Sequence, residues 1–284
     1  MNTAPPTACV PKRIVYHLLQ VKAFYHFLSC LIGLLLYAAT PDAAQAFIVT
    51  TLPPLAGLVS MLDAKADVHC LLPPGADAHD FQLTPKQVQQ LKQTDLLIRA
   101  SRDDGHWPGL NMTRRQLDLW PEKDHAWLLP SEVQQILPLL AKRLKEIIPE
   151  HRQGIEQSLK RALGVCDEME TAWKQALAPL QQRGVVMQHP AWRRLCEHFR
   201  VPVRAVLEPH HHGSIRPRKL ESALALLQAH PSILLWGDVR HSNRGLIWLS
   251  HHDNNKPVLA LDALGTCGMS WIELMHDNLE HIPA

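Results

Sequence analysis

Between Pro130 and about Gln182 the chain contains no strand-like run, and Leu, Ile, Ala, Lys, Glu and Gln recur there at helical spacing. On either side, short apolar runs alternate with helical patterns, the rhythm of a parallel sheet covered by helices. This helical middle separates the strands into two groups along the chain. Pro149 marks a break within it, because a proline ring clashes with the preceding turn of a helix. A second helix from about His151 to Gln182 would run roughly 45 Å at 1.5 Å per residue, longer than one lobe needs. The expected fold class is therefore α/β: two similar α/β lobes, each with a central mostly parallel sheet, joined by a long rigid backbone helix. The expected boundaries are 47–150 for the N-terminal lobe, 151–182 for the linking helix and 183–284 for the C-terminal lobe. Strands are expected at 47–51, 68–72 and 95–100 in the first lobe, and at 185–188, 203–207, 233–236 and 258–261 in the second.

Residues 1–46 read as an export signal. Basic residues lie around Lys12, Arg13 and Lys22, an apolar stretch runs from Phe27 to Ala39, and Ala44, Gln45 and Ala46 form a small-x-small triplet. The apolar stretch is shorter than the roughly 20 residues of a spanning helix, so a removed signal with cleavage after Ala46 is expected. The formal charge of +2 vanishes without this segment, which carries three basic residues against Asp42 alone. A neutral chain has no net field to draw it to a phosphate backbone, which argues against a nucleic-acid partner. Cys70, Cys166, Cys196 and Cys267 remain, without a CxxC pair. In an oxidising compartment they allow three connectivities, and buried unpaired thiols are equally compatible with the spacing.

Histidine is abundant, at 18 residues. Three histidines sit in loops beside apolar strands: His79 after Leu71 and Leu72, His125 before Trp127, and His189 directly after the 185–188 run. In α/β sheets ligands collect beyond the carboxyl ends of strands. Asp262 ends the 258–261 strand in the same way. Three imidazoles and one carboxylate suit a four-coordinate zinc ion. Trp107, Trp127, Trp192, Trp236 and Trp271 are expected in the core or between the lobes.

The segment Leu72 to Pro85, LPPGADAHDFQLTP, resembles the loop around the first metal-binding histidine of the zinc and manganese ABC-transporter solute-binding proteins. The run His125 to Pro130, HAWLLP, is similar to that family's H-x-W-x-x-P second-ligand motif, and Gln188 to Trp192, QHPAW, falls where the third ligand stands. Leu261 to Gly265, LDALG, resembles the family's LDPLG stretch, whose aspartate is a ligand in some members and lies beside the site in others. The likeness covers nearly all of the chain after Ala46. It implies a periplasmic, monomeric receptor that binds a divalent metal between two lobes, at His79, His125, His189 and Asp262, and delivers it to an inner-membrane ABC permease. In this family a histidine at the third position suggests zinc and a glutamate manganese, so His189 favours zinc, with manganese the alternative. Imidazole donors agree with that preference.

Three departures stand out: Asp124 replaces a proline before the second histidine, Ala263 replaces the proline of LDPLG, and Pro190 stands where an acidic residue is common. The long His-rich loop of many zinc-selective members is absent, since Arg102 to Asp124 holds only His106. The run His210, His211, His212 reads either as a weak collecting site or as an exposed polar loop. His241, His251 and His252 read as exposed polar residues. A metal buffer or chaperone without a permease, or an adhesin, would use the same residues. A zinc hydrolase is the enzyme alternative, but HExxH, GxSxG and a phosphate-cradling glycine loop are all missing.

Overall fold

Phe47–Thr50 (β1) buries Ile48, Val49 and Thr50 because it is paired on both sides, in parallel, with Asp67–Cys70 (β2) and Leu96–Ser101 (β3). The computed structural model describes residues 46–101, 103–110, 115–208 and 215–283. The expected export signal up to Gln45 and the run His210 to His212 lie outside the described residues. Gln116–Trp120 (β4) completes a four-stranded parallel sheet in the order β2-β1-β3-β4. The sequence LLIRAS of β3 is almost wholly buried, as expected of a strand covered on both faces, whereas DVHC of the edge strand β2 is partly exposed. Between the strands, Pro53–Leu62 (α1) starts with proline in its first turn, and Pro85–Gln93 (α2) is opened by a capping box between Thr84 and Gln87.

The helical middle is a hairpin of Pro130–Ile147 (α3) and Arg152–Leu177 (α4), joined by a 3-10 turn at Pro149–His151. At one end of α4, His151 Nδ1 lies 2.5 Å from Asp63 at the C-terminus of α1. Near the other end, Trp173 stacks on Trp192 of the second lobe with ring centroids 5.7 Å apart. The helix is a strut between lobes of roughly 39 Å. It ends sooner than its apolar pattern suggested, because Pro179 offers no N–H to extend the ladder, and Leu180–Arg183 follows as a separate turn (α5).

The second lobe repeats the first. Val185–Met187 (β5), Val203–Val206 (β6), Leu234–Asp238 (β7) and Val258–Leu261 (β8) form a parallel sheet in the order β6-β5-β7-β8. Its helices are Arg193–His198 (α6), Pro217–Ala229 (α7), Arg244–His252 (α8) and Trp271–Glu280 (α9). Neither β4 nor α8 was expected from the sequence: β4 is a short edge strand with a polar Asp118 at its centre, and α8 ends in two histidines that break the apolar pattern.

One continuous core passes from the first sheet through α3 and α4 into the second lobe, and a smaller cluster lies under α7 and α8. The five tryptophans expected inside are all buried. Two indole hydrogen bonds and a disulfide are among the contacts that bind the lobes directly. The Trp127 indole donates to the carbonyl of Ala263 at 2.7 Å, and the Trp271 indole to the carbonyl of Trp127 at 2.7 Å. Cys70, at the end of β2, is disulfide-bonded to Cys267 before α9, while Cys166 and Cys196 are buried thiols. Burial pushes the Cys166 thiol up to about 12. α9 sits against α1 so closely that a Cβ on Gly57 would lie 2.6 Å from the backbone nitrogen of Trp271. Only glycine fits there without parting the helices.

Candidate metal centre

The loop after β2 is held on the first sheet by the amides of Leu71 and Leu72, which donate to Thr50 and Thr51. It turns at Gly75, whose φ is +77°, and delivers His79 through a side-chain turn in which Asp77 accepts the His79 amide at 2.9 Å. The carbonyls of this segment are tied down as well. The Trp107 indole donates to Ala78 at 2.7 Å, and His106 Nε2 lies 3.0 Å from the carbonyl of His79.

His125 follows β4 at the entrance to a short 3-10 turn, with φ of +47°. Left-handed backbone is uncommon outside glycine, although histidine tolerates it better than most residues. Here Asp103 holds it, accepting the His125 amide at 3.1 Å and lying 3.3 Å from ring Nδ1. Beside it Asp124 reaches across to Arg194 on α6, with a 3.0 Å contact. The departure from proline at this position thus supplies an inter-lobe ion pair.

The second lobe contributes from its two central strands. His189 follows β5, where the Gln188 side chain accepts the amide of Leu246 at 3.1 Å and so anchors the strand end to α8. Pro190 accepts from Arg193 and opens the turn into α6. His241 stands in the turn after β7, its amide donating to the carbonyl of Asp238 at 3.3 Å.

These loops bring four imidazoles together. Ring centroids lie 5.1 Å apart for His79 and His189, 4.3 Å for His189 and His241, 5.5 Å for His79 and His241, and 5.2 Å for His125 and His189. One nitrogen from each of His79, His189 and His241 can be chosen so that all lie within 4.8 Å of one another. His79, His125 and His189 are buried. His241 was read from sequence as an exposed residue, yet its side chain keeps only 16% of its exposure. The signal that could have found it is the one used for His79 and His189: it stands in a loop at the carboxyl end of an apolar strand. Asp262 is not brought into this group. Its carboxylate accepts the amides of Leu264 and Gly265 at 3.0 and 2.9 Å and faces the guanidinium of Arg240 at 3.3 Å.

Asp77, Asp103, Asp238, Arg240 and three of the histidines line a cavity of about 10 Å³, room for a single water-sized guest and too little for an organic solute. Burial raises Asp77, but the ring of His241, 3.3 Å away, and the amide and ring of His79 outweigh it and bring the carboxyl down to about 2. For His241, burial lowers the pKa, yet the contact with Asp77 and the charges of Asp238 and Glu208 hold it above its ordinary value. Burial pushes Asp238 up to about 6 against the opposing pull of the Arg240 amide and His241.

Residues 48–284 match the family model of the zinc-uptake complex component A periplasmic proteins, ZnuA. The chain belongs to this family. ZnuA-family proteins are metal-binding receptors of the substrate-binding type and not enzymes. A Thermotoga maritima protein named for metal binding is 30% identical over 179 residues, covering 59% of this chain, and the chain spans 66% of that relative. The high-affinity zinc uptake system protein ZnuA of Yersinia pestis is 23% identical over 252 residues, covering 72% of this chain and 77% of that protein. A zinc-bound deletion mutant of ZnuA shares the fold with a TM-score of 0.73 at 18% identity, over 84% of this chain and 96% of that one. Solved chains of the same fold have also been described with manganese, nickel and cadmium.

Proposed function

We propose that the chain is exported by its N-terminal segment, captures zinc between its lobes and delivers it to an ABC-type permease of the inner membrane. The observation that carries this reading is the convergence of imidazoles from both sheets on a cavity the size of one ion. His79, His189 and His241 form the ligand group in this proposal, and His125 closes a fourth position. Asp77 beside His241 and Asp103 beside His125 support it as carboxylates that orient a ligand from its far nitrogen, an arrangement that fixes the ring and raises its basicity. An all-imidazole set suits zinc better than manganese, which prefers carboxylate, carbonyl and water oxygens. Delivery to a permease, the periplasmic destination and zinc over manganese rest on this donor set together with family membership.

The test is a competition titration of the tag-free chain from Phe47, with zinc and manganese, beside His79→Ala, His189→Ala and His241→Ala. Binding of one zinc ion, lost in each variant, is the expected result. Zinc binding untouched by all three changes would sink the assignment. Zinc uptake by cells lacking the gene for this chain, compared with cells lacking an adjacent permease gene, tests the transport half.

A further inference from the structure

Three carboxylates line the cavity, and a fourth stands behind its wall. Asp77 and Asp103 are each committed to a histidine. Arg240 touches the other two unequally, engaging one oxygen of Asp238 and both oxygens of Asp262. Its backbone amide donates to Asp238 Oδ1 at 2.7 Å, while Nε and Nη2 of its guanidinium face the two oxygens of Asp262 at 3.4 and 3.3 Å. The guanidinium is itself fixed, since Nη2 donates to the carbonyl of Gly265 at 2.5 Å. Asp262 is thus held from two directions, by the guanidinium and by the amides of Leu264 and Gly265. An arginine stays charged at every physiological pH, so the attraction does not switch off with pH, and its planar fork faces both oxygens.

Resting on the receptor reading above, we propose that Arg240 sets the metal preference of the site: by keeping the Asp262 carboxylate out of the cleft it withholds one oxygen donor from the histidine group and disfavours oxygen-seeking cations such as manganese. A carboxylate that already accepts from a guanidinium and two amides has little donor capacity left for an ion. Removing the fork frees one hard oxygen ligand beside four imidazoles, and that change favours manganese more than zinc.

The test compares zinc and manganese dissociation constants, by competition against a chromophoric chelator, in the native chain, Arg240→Met and Arg240→Met/Asp262→Asn. Methionine keeps the apolar stem and removes the fork. The expected result is that manganese binding tightens about tenfold in Arg240→Met while zinc moves less than about threefold, and that the double variant returns to the native ratio. Equal changes for both metals, or a shifted ratio that survives Asp262→Asn, would overturn the proposal. Should Arg240→Met fail to fold by circular dichroism, Asp262→Asn alone decides. Zinc affinity within about threefold of native supports the role of Arg240, and a loss of about thirtyfold makes Asp262 a ligand and ends it. A native chain that binds neither metal overturns the receptor reading, and this inference with it.

Discussion

The two lobes have the same strand order and use it differently. In each sheet the direction of connection reverses between the two central strands, β1 and β3 in the first and β5 and β7 in the second, and the crevice at the carboxyl ends of such strands is where α/β sheets hold ligands. The second lobe follows that rule, with His189 after β5 and His241 after β7. The first lobe does not. Its crevice is filled by Asp104, which accepts the amides of Ala100 and Ser101 at 2.8 and 3.0 Å, bonds the hydroxyl of Thr51 and lies 3.5 Å from Arg99. That lobe offers its histidines from the loops after its outer strands, β2 and β4. Topology alone therefore does not choose the ligands. A sheet end can be closed by an internal polar network and still present a metal site at its margins.

The sharpest break of this comparison is to remove one ligand from each lobe. His79→Ala and His189→Ala should each weaken zinc binding roughly a thousandfold, about 4 kcal/mol, if the ion bridges the lobes. A large loss from one lobe only, read by chelator competition, would mean that the other lobe is a bystander. The closed crevice gives the next largest effect, on stability and not on binding. Asp104→Ala strips a carboxylate from buried Arg99, leaving Asp118 at 3.6 Å, and orphans two amides. Denaturant unfolding should show a loss of about 3 kcal/mol, with zinc affinity of the folded fraction unchanged.

The pH dependence distinguishes metal binding from folding. Protons compete with the ion for His241, whose pKa is raised, so zinc affinity should fall between pH 8 and pH 6, and the fall should begin above 6.5. The metal-free fold behaves oppositely. Its raised His241 contributes stability that is full below 6.5 and lost as pH rises through the folded value. Its lowered Asp77 contributes stability present above 3.8 and lost as pH falls through about 2. Thermal melts of the metal-free chain should therefore keep this contribution from about pH 4 to 6.5 while zinc is being released. The smallest effect is Asp77→Asn, which removes the charge behind His241 and should weaken zinc about tenfold.

Much of this arrangement was legible in the chain. The apolar runs specified both sheets because parallel strands covered on two faces are apolar along their whole length, and the strand-free stretch specified the strut. His79 and His189 could be singled out because each adjoins an expected strand, whereas the apolar run after His125 is a 3-10 turn and the strand before it, β4, was not foreseen. His241 satisfied the same criterion and was obscured by its company: histidine is frequent here, and Asp238, Val239 and Arg240 separate it from the apolar run it follows. The environment of Asp262 was illegible for another reason. Its position at a strand end was clear, but the Arg240 that engages it comes from the neighbouring strand end, and pairing across a sheet leaves no periodic trace in sequence. The spacing of the cysteines likewise left three connectivities open, and only the docking of the loop before α9 on β2 brings Cys70 to Cys267.

The most direct test of a metal centre shared by both lobes is a crystal structure of the zinc-loaded chain with data at the zinc absorption edge. One anomalous peak coordinated by imidazole nitrogens from both lobes, at about 2.0 Å, with Asp262 still on Arg240, is the expected result. A peak held by one lobe alone, or one with Asp262 in its coordination shell, would contradict it.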